Sequence, residues 1–149
     1  MAGGNHGLGR KGGQAVDSDT FRFIERQLYN YDETKRRIEE LRDTLSYDAS
    51  PTVREMVPGA GYISDPTANK AIRAVMSSPV LYRMETNIRS IDAALRRLTD
   101  SHRQLFHLKY QLDLPVPMVC MRLPISTIGF YKLRRQLIYM VAEEMGFKA

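Results

Sequence analysis

The most regular apolar repeat in the chain lies in residues 79–98, which read PVLYRMETNIRSIDAALRRL. Its large apolar side chains recur alternately every three and four residues, at Leu81, Met84, Ile88, Ile91, Leu95 and Leu98. This spacing places them along one side of an α-helix, as in the seam of a coiled coil. Ser78 followed by Pro79 is typical of a helix start. The segment therefore predicts a helix whose apolar face needs a partner.

A second apolar stripe lies in residues 20–46, where the polar residues at 17–19 are candidate N-caps. The stripe consists of Phe21, Ile24, Leu28, Tyr31, Ile38 and Leu45. It predicts one long helix, which either pairs with residues 79–98 in a hairpin within a monomer or binds a second copy in a homodimer. A loop at 47–64, with prolines and glycines, separates the two stripes.

Helix caps indicate the remaining elements. Asp65 followed by Pro66 begins a short helix that runs to about Met76. Further helices are expected at 101–112, 118–123 and 126–145, the last of them capped by Ser126 and ended by Gly146. No segment shows the sustained alternation of a strand, so the predicted fold class is all-α.

The predicted domains follow from these elements. They are a disordered Gly-rich tail at 1–19, a helical hairpin or coiled region at 20–98, and a helix-turn-helix domain at 99–149. The last domain contains a short helix, a tight turn at Leu123-Pro124-Ile125 and a capped basic helix. This is the order of elements in a helix-turn-helix. Spacing alone also allows a helical hairpin whose basic face is only solvated.

The candidate DNA-binding residues lie in the first half of the last helix. They are Ser126, Thr127, Gly129, Phe130, Lys132, Arg134 and Arg135. Ser126 caps the helix. Thr127, Gly129 and Phe130 are expected to reach base edges, and Lys132, Arg134 and Arg135 are expected to reach phosphates. The inward face is assigned to Ile128, Tyr131, Leu137, Ile138 and Val141.

The charge of the chain is unevenly distributed. The net charge is +5, yet residues 1–65 carry nine Lys and Arg against eleven Asp and Glu, whereas residues 66–149 carry thirteen against six. A basic excess confined to one half is expected where a protein faces the phosphates of a nucleic acid. A solvated basic surface without a partner is the alternative.

The composition argues against several other classes of protein. No apolar run approaches the roughly 18 residues of a membrane span, and no secretory signal is recognisable. Cys120 stands alone, which suits a reducing cytoplasm. The spacing of His6, His102 and His107 does not fit a zinc site, and no phosphate loop or catalytic triad can be assembled. We therefore expect no enzyme, no metal site and no cofactor.

A family resemblance rests on a set of short segments. They are LYNYDETK at 28–35, IEELR at 38–42, SDPTANKAIR at 64–73, LFHLKY at 105–110, Ile125-Ser126, YKLRR at 131–135 and AEEMG at 142–146. These segments resemble the RinA/ArpU family of phage and prophage transcriptional regulators, over about residues 28–147. The features most specific to the family are the segment at 65–71 and its distance from the segment at 28–31.

The resemblance implies a C-terminal DNA-binding domain similar to the one at the end of bacterial sigma factors. It also implies binding of double-stranded DNA and activation of late phage genes in the cytoplasm of a bacterial host, with host RNA polymerase as a partner. The chain departs from the family pattern at Pro115 and Pro117, at Pro124 in the turn, and at Gly129 in the recognition helix. A glycine there costs about 1 kcal/mol relative to alanine, unless it allows close approach to DNA.

Two other functions remain open at this point. Small terminase subunits of phage DNA packaging are also small, basic and helical, and large rings would distinguish them from a monomeric or dimeric regulator. A purely structural helical adaptor would show no salt-dependent binding to DNA.

Overall fold

The computed structural model describes residues 16–48 and 78–147. These residues form helices and no strands, which confirms the predicted all-α class. The predicted tail before Val16, the predicted loop beyond Asp48 and the short helix predicted from Asp65 lie outside the described residues.

The described helices fall into two compact units. The helices are α1 (Ser18–Tyr29), α2 (Tyr31–Asp48), α3 (Pro79–Arg97), α4 (Asp100–Leu105), α5 (Val116–Arg122) and α6 (Thr127–Met145). A π-helical segment at Phe106–Gln111 continues α4. The larger unit contains the described residues up to 32 and from 87 onward, and the smaller unit those from 33 to 86. This division differs from the predicted domain boundary after residue 98, because α1 packs against α6 and the π-helical segment.

The helix predicted over 20–46 is two helices that meet at Asn30. The Asp17 carboxylate accepts a 2.7 Å hydrogen bond from the Thr20 N–H and so caps α1, which lowers the pKa of Asp17. Asn30 ends α1, and its N–H group donates to the Arg26 carbonyl at 3.0 Å. The apolar stripe continues across this break in the helix, because Leu28 and Tyr31 are buried on either side of Asn30.

Within each unit, side-chain hydrogen bonds join the helices that carry the two apolar stripes. In the larger unit the Tyr31 hydroxyl donates to the Asp92 carboxylate at 2.5 Å. Burial and this carboxylate raise the pKa of Tyr31, so the hydroxyl stays protonated as the donor. In the smaller unit Arg42 Nε donates to Glu85 Oε2 at 2.8 Å. The choice between monomer and homodimer stays a prediction.

The core of the larger unit draws on nearly every described helix. The side chains with no exposed surface are Ile24, Leu28, Ile91, Ala94, Leu105, Val119, Phe130, Leu137, Ile138 and Val141. Aromatic edge-to-face contacts join α1 and α2 to the π-helical segment, with ring centroids 4.7 Å apart for Tyr29 and Tyr110 and 5.2 Å apart for Tyr31 and Phe106. These contacts pack α1 and the start of α2 against the π-helical segment.

Candidate nucleic-acid interface

Helix α5, a turn at 123–126 and helix α6 follow one another in the larger unit. The Leu123 N–H donates to the Val119 carbonyl at 2.9 Å, and the Ile125 N–H donates to the Cys120 carbonyl at 3.1 Å. Val119 is fully buried, and α5 packs against α6. This is the order of elements that a helix-turn-helix requires.

The prolines at the start of α5 occupy positions where a missing N–H group costs little. Pro115 is the N-cap, and Pro117 lies in the first turn. The first N–H groups of a helix have no acceptor within it, so proline removes no hydrogen bond there. Proline at these two positions therefore leaves α5 intact.

Helix α6 begins at the predicted cap. Ser126 Oγ accepts a 2.9 Å hydrogen bond from the Gly129 N–H. A Cβ atom on Gly129 would lie 3.3 Å from this hydroxyl oxygen and 3.6 Å from Ile125 Cβ. The glycine thus leaves room for the cap hydroxyl in the protein itself. A contact between Gly129 and DNA stays a prediction.

One face of the first half of α6 is exposed. It presents Thr127, Ile128, Tyr131, Lys132 and Arg135. Residues four apart in this set lie one above the other on the helix, which makes a continuous surface of about two turns. Within the described residues, neither Lys132 nor Arg135 has an ion pair or a hydrogen bond that would compete for its charge.

The sequence around this face contains no acidic residue. Between Asp113 and Glu143 the charged residues are Arg122, Lys132, Arg134 and Arg135, all of them basic. The positive charge that α5 and α6 contribute to this surface favours polyanions.

The inward face of α6 differs from the predicted one at its start. Phe130 is fully buried, so the prediction that it projects toward base edges is wrong. Ile128 is 81% exposed and Tyr131 is 40% exposed, so the assignment of these two to the inward face is also wrong. The inward assignment of Leu137, Ile138 and Val141 is confirmed.

The Phe130 error has a physical cause. Phe130 is seven, eight and eleven residues before Leu137, Ile138 and Val141, the spacing of side chains that share one helix face. Ile128 does not fit this register. The sequence therefore contained a signal for the correct face, which the large number of apolar residues in α6 obscured.

Arg134, which was predicted to contact phosphate, is partly buried and has partners within the protein. Its guanidinium lies 3.3 Å from Glu25 Oε2 on α1, and the exposed fractions of the two side chains are 29% and 21%. The same group stacks over the rings of Phe21 and Tyr131, at 5.0 and 5.1 Å from their centroids. Arg134 therefore fastens α6 to α1.

Glu25 has a second partner in this network. The Tyr110 hydroxyl, on the π-helical segment, donates to Glu25 Oε2 at 2.8 Å. Burial, and next the charge of Glu25, raise the pKa of Tyr110, so the phenol stays protonated. One carboxylate thus joins α1, the π-helical segment and α6, and it holds the helix that carries the exposed face.

The predicted DNA contacts did not include Tyr131, Ile128 or Arg122, which are exposed in this region. Ile128 lies in the first turn of α6, and Arg122 lies in the last turn of α5. The helix before a recognition helix crosses the phosphate backbone in many helix-turn-helix proteins, so a basic residue there was a usable signal. The apolar side chain of Ile128 gave no comparable signal in the sequence for a DNA contact.

His102, one of the three histidines whose spacing does not fit a zinc site, has a structural role. His102 is buried; its Nδ1 accepts from the Thr99 N–H at 3.3 Å, and its Nε2 lies 2.7 Å from Gln136 Oε1. Within the described ranges, no group of three or more His, Cys, Asp or Glu residues is placed to hold a metal ion. None of the helices described here combines the length and apolar character needed to span a membrane.

Comparison with known protein families, with curated proteins and with solved structures finds no match to this chain.

Proposed function

We propose that this chain is a sequence-specific regulator of transcription that binds double-stranded DNA through α5 and α6. The observation that carries the proposal is the exposed face of α6, which starts at the Ser126 cap and is free of acidic residues. In this arrangement the first turn of α6 enters the major groove, and Thr127 and Tyr131 face base edges. Lys132 and Arg135 then contact phosphates on the flanks of the groove.

The resemblance to the RinA/ArpU family supports the biological part of the proposal. On that basis the protein activates late genes of a phage or prophage in the cytoplasm of a bacterial host, and contacts host RNA polymerase while bound to DNA. Arg122, at the end of α5, adds a positive charge beside α6 that can reach the phosphate backbone.

Selection of bound sequences from a random duplex pool tests this function. We expect the full chain to enrich one motif and to bind it at least about a thousandfold more tightly than random duplex, as specific DNA-binding proteins do. A matched selection with the Thr127→Ala variant should enrich a more degenerate motif. Equal affinity for all duplexes would contradict sequence-specific regulation, and large rings in light scattering would favour a packaging protein.

A further inference from the structure

Ile128 has the largest exposed fraction, 81%, among the large apolar side chains in the described part of the chain. It is the second residue of α6 after the Ser126 cap. Side chains in the first turn of a recognition helix are those that contact base edges. An isoleucine here therefore occupies a position that DNA binding would bury.

The surroundings of Ile128 favour DNA over a protein surface as its contact. Lys132 lies one turn further along the same face and Arg135 nearly two, and both are exposed. The stretch from 114 to 142 contributes no acidic side chain. The charge of this face is thus complementary to a polyanion such as DNA. The apolar side chain of Ile128 within it would match an apolar group on the DNA.

Only one of the four bases presents an apolar group in the major groove. An isoleucine side chain can neither donate nor accept a hydrogen bond, so it cannot read the polar edges of the bases. The methyl group of thymine is the apolar feature of that groove. Resting on the proposed DNA-binding function, we propose that Ile128 is a specificity-determining residue that packs against a thymine methyl group and so selects an A·T pair.

Deoxyuridine tests this contact because it lacks only the methyl group of thymidine. Each thymidine of the selected duplex is replaced in turn, and the affinities of the wild-type chain and of Ile128→Ala are measured. We expect the wild type to lose about fourfold in affinity at one position, the effect of one buried methyl group. Ile128→Ala should lose a similar factor on the thymidine duplex and nothing further on the deoxyuridine duplex.

Met121→Ala is the matched control, because Met121 is 78% exposed on α5 and is also apolar. This variant should keep the wild-type response to deoxyuridine. Specific binding that ignores deoxyuridine, or a response that persists in Ile128→Ala, would overturn the inference and leave the proposed function standing. Loss of association with RNA polymerase or between copies in Ile128→Ala, without a deoxyuridine effect, would identify a protein-docking face instead. Absence of duplex binding in the wild type would defeat the proposed function itself.

Discussion

Replacement of Phe130 by alanine is expected to lower the free energy of unfolding by about 3–5 kcal/mol. The ring has no exposed surface, and it packs edge to face against Tyr131 with centroids 5.0 Å apart. Truncation removes its apolar contacts and leaves a cavity that the neighbouring helices fill only in part. Chemical denaturation followed by far-ultraviolet circular dichroism measures the loss.

Ile128→Ala is the matched comparison, since it truncates an apolar side chain two residues away on the same helix. Its effect on stability should stay within about 0.5 kcal/mol, because the side chain is exposed. The opposite order, with a stable Phe130→Ala and a strongly destabilised Ile128→Ala, would show that α6 presents the other face to the core.

Arg134→Ala is expected to lower the free energy of unfolding by about 2 kcal/mol, between the values for exposed and for buried ion pairs. The variant loses the pair with Glu25 and the stacking on Phe21 and Tyr131. Part of the pair is exposed, so solvent screening keeps the loss below that of a fully buried pair. Thermal unfolding measures the change.

Arg135→Ala provides the control, because it removes the same side chain from the next position, where it is exposed. Its stability should remain within about 0.5 kcal/mol of the wild type. Arg135→Ala should reduce the salt dependence of DNA binding, whereas Arg134→Ala should leave it unchanged. Equal losses of stability in both variants would argue against a special role for Arg134.

Local signals in the sequence predicted the ends of α6 well. Ser126 and Gly146 act within one turn of the helix, and the structure has both at the predicted ends, with Gly146 at a φ of 91°. Such caps depend on only a few neighbouring residues, so they can be recognised without knowledge of the fold. The all-α class followed in the same way from the apolar repeats at 20–46 and 79–98.

The sequence carried only a weak signal for the inward face of α6, and the partner of Arg134 lies in a distant part of the chain. Apolar residues occur on several sides of α6, so periodicity alone gave a weak signal for its direction. Arg134 finds its partner 109 residues earlier, at Glu25. Arg134 lies four residues after Phe130 and four before Ile138, so the register of the buried face separates it from Arg135. Only the packing of α1 against α6 shows which residue it pairs with.

The salt dependence of duplex affinity, compared between the wild type and the Lys132→Ala/Arg135→Ala double variant, tests most directly whether the exposed face of α6 binds DNA. Each phosphate contact contributes about 0.9 to the slope of log affinity against log salt, so the double variant should lose about two units of slope. Its circular dichroism should match that of the wild type, because both side chains are exposed. A folded double variant with the wild-type affinity and slope would contradict DNA binding by this face.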